Sequence, residues 1–159
     1  MVVPIRGLKN KFAGGNMADQ KQLLIRFFEE VWNQRRAETI DELFAPDCVI
    51  HDGETDSIGP EGFKPFFARM SDAFSEIHVT PLHAISEGDV ACLRWSVTMR
   101  HTGGGLGMPP TGKVLKTTGI SIVRFANGKF AEGWQNWDML GMMHQISGMG
   151  HAATYIGAR

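Results

Sequence analysis

From Asp19 onward the apolar residues recur at helical spacing. Leu23, Leu24, Phe27, Phe28, Val31 and Trp32 fall on one face of a helix, with Asp19 as its N-cap and Asn33 at its end. A shorter helix is expected over 40–44, with Thr39 or Ala37 near its start and Pro46 beyond its end. A brief strand over 48–52 breaks at Gly53, and 57–60 reads as a turn. A third helix follows from about 61 to 74, with Phe63, Phe66, Phe67, Met70 and Phe74 as its buried stripe. Pro65 fits there only in the first turn or two, where a lost N–H costs least.

The pattern then changes to period two. A strand over 77–86 is interrupted by Pro81, which predicts an edge position or a bulge. The strand over 90–101 alternates cleanly, with Ala91, Leu93, Trp95, Val97, Met99 and His101 on one face. A loop over 102–112, rich in Gly and Pro, separates it from a strand over 114–125. Asn127-Gly128 is a strong hairpin signal and leads into a last strand over 129–138. Strict alternation there groups Phe130, Glu132, Trp134, Asn136 and Asp138 on one face, and Lys129, Ala131, Gly133, Gln135 and Trp137 on the other. The first group mixes aromatics with carboxylates and an amide, which suits either an edge strand meeting solvent or a pocket wall. The apolar run 140–146 would fold back over the strand's end and set Asp138 at the rim of an apolar space.

Helices first and hairpin-linked strands afterwards describe an α+β domain, a curved sheet wrapping the apolar faces of three helices. That domain is expected over 19–148, with a flexible leader over 1–18 and an unpatterned tail over 149–159. The chain's 159 residues suffice for one substantial core. A net charge of -1, with Lys and Arg scattered, excludes a surface built for nucleic acid or anionic membrane. No apolar run is long enough to span a bilayer. Cys48 and Cys92 lie far apart and form no CxxC pair, so a reduced, cytoplasmic setting is expected.

Four pieces in order carry a resemblance: His101-Thr102-Gly103, then Gly107 through Lys113, then Asn127-Gly128-Lys129, then Glu132-x-Trp134-x-x-x-Asp138. Together they resemble the SnoaL-like polyketide cyclase (ester cyclase) family of the nuclear-transport-factor-2-like fold. The resemblance implies a cone-shaped, cystatin-like α+β barrel, open at one end, with its pocket between sheet and helices. It implies intramolecular aldol closure on an aromatic polyketide ester, without metal or other cofactor, in a homodimer joined through the outer sheet face where Arg94, Ser96 and Thr98 would point. By motif position Asp138 would be the acid and base, His101 a catalytic pocket histidine, and His51 a histidine near the end of the first strand. Trp134, His51, Asn136, Trp32, Phe67 and Met143 are the expected substrate contacts. Gly104-Gly105-Leu106 replaces bulkier family residues and would loosen the pocket mouth.

The chemistry asks for a group that takes a proton from a carbon between carbonyls and returns one to the oxygen that becomes a hydroxyl. Trp134, Trp137, Leu140 and Met143 could exclude water from Asp138 and favour its protonated form. Asp138 could equally cap a helix beginning at Met139. Glu132 lies six residues away, about 20 Å along an extended strand, so it is expected to be structural, closing the narrow end by pairing with a cation or with backbone. His101 could hold a substrate carbonyl. His51, Asp52 and His101 have no metal-ligand spacing. Met139, Met142, Met143 and Met149 read as core filling, an adaptable wall or a dimer contact. A ketosteroid-isomerase or epoxide-hydrolase arrangement would need a pocket tyrosine, and Tyr155 in the tail is the chain's single one. The alternatives are a non-catalytic binder of hydrophobic small molecules, or an isomerase or hydratase on the same fold.

Overall fold

The computed structural model describes residues 17–53 and 55–148. Helix α1 (Met17–Phe27) runs without a break into a π-helical segment (Phe28–Asn33). The wider turn is closed by bonds such as Gln34 N–H to Glu29 O at 3.0 Å. Asp19 therefore lies inside α1 and not ahead of it. Helix α2 (Glu38–Leu43) begins after Ala37, and β1 (Phe44–Asp52) starts before Pro46, passing it through a register shift. The expected turn at 57–60 is partly a short strand, β2 (Thr55–Ile58), paired antiparallel to β1. Helix α3 (Gly59–Ala73) contains Pro65 in its second turn, and Phe74 opens β3 (Phe74–Glu87) instead of closing the helix. Next come β4 (Val90–His101), β5 (Val114–Ala126), β6 (Lys129–Trp137) and a fourth helix, α4 (Met139–Ser147). The expected leader, except Met17 and Ala18, and the expected tail lie outside the described residues.

The six strands form one curved open sheet in the order β2-β1-β6-β5-β4-β3, parallel between β1 and β6 and antiparallel elsewhere. The fold is the expected α+β, nuclear-transport-factor-2-like arrangement, with helices on the inner face of the sheet. Pro81 sits on edge strand β3 at a register shift, where no ladder partner needs its N–H. Asn127 and Gly128 both take positive φ, 52° and 73°, as a two-residue hairpin joining twisted strands requires. The core is aromatic. Phe27, Phe44, Phe63 and Phe130 meet with ring centroids 5.2 to 5.9 Å apart, so the helices and the β1–β6 pair close on one another.

Between β5 and β6 the register shifts: Phe125 pairs Phe130, but Arg124 pairs Glu132. Ala131 is the extra residue of a bulge, and one extra residue exchanges the faces of everything after it. Phe130 consequently shares the inner face with Gly133, Gln135 and Trp137, while Glu132, Trp134 and Asn136 face outward. The even-odd grouping read from the sequence holds on each side of Ala131 but not across it.

Candidate active site

A cavity of about 460 Å³, its open mouth included, lies between the helices and the inner sheet face. Phe28 and Trp32 enter it from the π-helical segment, Phe66 and Met70 from α3, and Trp95, Val97 and Met99 from β4. Gln135 and Trp137 bring it polar atoms from β6. The largely apolar wall with a few placed polar groups is that of a small-molecule site. Its shape depends on Gly119, paired with Trp95 across the β4–β5 ladder: a Cβ there would overlap the indole ring. Trp95 lies flat over that gap and donates its Nε1–H to Ser121 Oγ at 3.0 Å, and Ser121 Oγ donates in turn to Gln135 Oε1 at 3.3 Å.

The expected substrate contacts divide by face. Trp32 lines the cavity, and Phe67 packs against its ring at 5.5 Å. Met143 is half-buried against the core without reaching the cavity. Trp134, His51 and Asn136 instead lie on the outer face, where the bulge and the parallel β1–β6 register put them. There His51 stacks on Trp134 with centroids 5.6 Å apart. His51 Nδ1 lies 2.8 Å from Asp56 Oδ1 and its Nε2 lies 3.1 Å from Glu132 Oε1. Glu132 Oε2 accepts from Arg124 at 3.0 Å, which is the structural cation pairing expected of it. Asp56 first, then Glu132, hold the His51 imidazole above its ordinary value; His51 and Arg124 hold the Glu132 carboxyl below its own.

His101 is fully buried on the inner face at the end of β4, 5.6 Å from the ring of Phe74. Its Nδ1 accepts the Thr111 N–H at 3.3 Å and lies 3.1 Å from Thr111 Oγ1, an assignment that leaves the ring proton on Nε2. Nε2 is buried and has no partner. The glycines after it tighten the molecule instead of loosening its mouth. Thr102 and Gly103 N–H both donate to Ala73 O, at 3.0 and 3.1 Å, and Cβ atoms on Gly103 or Gly105 would run into the α3 backbone at Asp72 and Arg69.

Asp138 follows Trp137 directly in the chain but is not among the residues that line the cavity. It is exposed, so the expected shielding by Trp134, Leu140 and Met143 is not found; Trp134 is on the far face and Leu140 is in solvent. Its Oδ1 accepts the Gly141 N–H at 2.8 Å, the N-cap bond of α4. Met142 and Ile146 of α4 are buried, Met139 is exposed, and Met149 lies outside the described residues. Among the described residues no three His, Cys, Asp or Glu groups are placed to hold a metal ion. No described helix is long and apolar enough to cross a membrane.

The inner face carries one further carboxyl, which the sequence offers only as a metal ligand without the spacing for one. Asp52, last on β1, shares the parity of Cys48 and Ile50, both buried. Burial lifts its carboxyl above the ordinary 3.8, partly offset by the Trp137 indole N–H and the Arg69 guanidinium. The indole approaches without completing a hydrogen bond, since Trp137 Nε1 is buried and unpartnered.

Comparison with known proteins agrees with this architecture. Residues 22–146 match the family model of the SnoaL-like polyketide cyclases. The chain is 27% identical over 130 residues to aklanonic acid methyl ester cyclase DnrD of Streptomyces peucetius, covering 77% of this chain and 88% of that protein. The same identity relates it to the cyclase DauD of Streptomyces sp. strain C5, over 77% and 79% of the two chains. The solved structure of TsrD from Streptomyces laurentii superposes with a TM-score of 0.75 at 25% identity, covering 84% of this chain and 98% of that one. A SnoaL-like protein from Jannaschia sp. CCS1 shares the fold with a TM-score of 0.76 at 22% identity, over 87% and 98% of the chains. With its sheet, its cavity and nearly all its described residues inside one match, this chain belongs to the SnoaL-like polyketide cyclase family.

Proposed function

We propose that the protein closes a ring by intramolecular aldol addition on a hydrophobic, multi-carbonyl small molecule. The observation that carries this is the apolar cavity, walled by aromatic rings that suit a flat ligand, with cavity-lining Trp137 directly before Asp138. Asp138 is the acid and base at its rim. One Asp138 oxygen is engaged by the Gly141 N–H, leaving the other free to take a proton from a carbon flanked by carbonyls. His101, two residues beyond cavity-lining Met99 on the same face, offers an unpaired Nε2–H to a substrate carbonyl. Its support is chemical: a buried donor with no partner is costly unless a ligand satisfies it. The protein works without a metal, as a homodimer in the reduced cytoplasm. Free Cys48 and Cys92 fit that setting, pointing to opposite faces of the sheet.

Aklanonic acid methyl ester, the compound in the two relatives' names, is the first substrate to try. Asp138→Asn keeps a good N-cap while removing the charge. Its turnover should fall by about a hundred-fold or more; an unchanged rate in the folded variant removes Asp138 from the chemistry. The exposure of Asp138 favours one other reading, a carrier that binds without turnover. Tight binding of the ester by wild type with no product formed would decide for it.

A further inference from the structure

The polar end of the cavity has an arrangement that the single-carboxylate scheme leaves unused. Asp52 stands opposite Gln135 in the parallel β1–β6 ladder and beside Trp137, the next inward residue of β6. Both β6 side chains line the cavity. Gln135 Oε1 accepts from Ser121, itself held by Trp95, so the amide's direction is fixed and its NH2 is left to donate. Trp137 Nε1–H is buried and unpartnered. Arg69, over the Phe66 ring at 5.6 Å, is the charged group that acts on Asp52 among the described residues. Two donors of the cavity wall and one inner-face carboxyl are therefore neighbours at this end of the sheet.

We propose that Asp52 is a second proton carrier of the reaction, the acid that protonates the carbonyl oxygen under attack, with Trp137 Nε1–H and the Gln135 amide holding that oxygen. This rests on the aldol reading above and divides its labour. Asp138 takes the proton from the carbon acid. The enolate carbon forms the new C–C bond to the ketone carbon, and the carbonyl π pair moves to oxygen. That oxygen takes the proton of the Asp52 carboxyl and becomes the hydroxyl. Asp138 then loses its proton to water and Asp52 regains one, restoring both groups. Burial that keeps Asp52 protonated at higher pH than an exposed Asp suits a donor, as it does not suit a base.

Asp52→Asn and Asp138→Asn, assayed on aklanonic acid methyl ester across pH, separate the claims. Asp52→Asn should lower kcat by about a hundred-fold or more while KM stays within about three-fold, and should lose the alkaline limb of the kcat profile. Asp138→Asn should lower kcat in its turn. Asp52→Asn with wild-type kcat and both limbs intact overturns the assignment. An effect in Asp52→Asn with none in Asp138→Asn keeps it and removes the base assigned above. Should wild type leave the ester unchanged, 13C NMR of Asp-labelled protein, assigned with Asp52→Asn, reads the group directly. A carboxyl titrating in the ordinary Asp range, or indifferent to added ester, overturns the proposal; one titrating above it and shifting with the ester sustains it.

Discussion

Asp138 and Gly141 are a matched pair. The cap bond is short because nothing stands between the carboxylate and the Gly141 N–H, and a Cβ at 141 would overlap the carboxyl group. Gly141→Ala should therefore lose about 1 kcal/mol through the broken cap, much like Asp138→Ala, whereas Asp138→Asn should lose only a few tenths. Urea unfolding of the three variants checks the order. His51 gives a second prediction at this scale. Both its ring nitrogens face carboxylates, and both contacts are donor bonds only when the ring carries two protons. Its raised pKa means its stabilisation is complete below the unfolded value of 6.5 and lost as pH rises through the folded one. Glu132 is the reverse: its lowered pKa gives stabilisation present above 4.5 and lost as pH falls through the folded value. Stability should peak between those limits, and His51→Gln should remove the alkaline decline. The acid decline should survive in part, because Arg124 still pairs with Glu132. These groups are about a third exposed, so the effect should stay below ~1 kcal/mol. Melting temperatures from pH 4 to 9 check it.

At the scale of elements, the strand carrying the site is decided by two residues without side-chain chemistry, the bulged Ala131 and Gly119. Gly119→Ala would push Trp95 from its seat on the neighbouring strand into the cavity, breaking its bond to Ser121. Overpacking of this kind costs about 1–3 kcal/mol, and it should also weaken ester binding, measured by tryptophan fluorescence titration. A Gly119→Ala variant with unchanged stability and affinity would mean that Trp95 is not the cavity's fixed wall. The same two residues explain what was legible in the chain. Strand β4 and the Asn127-Gly128 hairpin could be read directly, because period two and turn chemistry are local signals. The bulge could not: Lys-Phe-Ala-Glu contains no glycine or other mark of an extra residue, and one unseen insertion moved Trp134 and Asn136 from the expected pocket to the outer face. β2 was hidden because Thr-Asp-Ser-Ile has turn composition, and it forms only against β1. Asp52 was visible in principle through its parity with Cys48 and Ile50. Its meaning depends on the parallel β1–β6 register, a contact between residues some eighty positions apart.

At the scale of the whole molecule, the residues displaced from the cavity acquire a common setting. Ile85 pairs Cys92, Cys92 pairs Ile122, Ile122 pairs Trp134, and Trp134 pairs His51, so one row crosses five strands on the outer face. Ile85 is 68% exposed, Ile122 and Trp134 38% each, and Ile120 in the next row 46%. A contiguous apolar row on an otherwise polar sheet face is the mark of an association surface. A second copy of the chain suits it, since a two-fold contact sets the same row against itself and needs only one self-complementary patch. Ile122→Asp would place a carboxylate in the middle of that row, beside Trp134 and the Arg124–Glu132 pair. In the free chain the position is solvated and the change should cost about 0.5 kcal/mol or less; in a dimer it would bury an unpaired charge. Light scattering at micromolar concentration should therefore find wild type dimeric and Ile122→Asp monomeric, with similar circular dichroism. A monomeric wild type removes this face from the assembly. Because the row lies across the sheet from the cavity, the monomeric variant should keep ester binding, so assembly and chemistry can be separated in one protein.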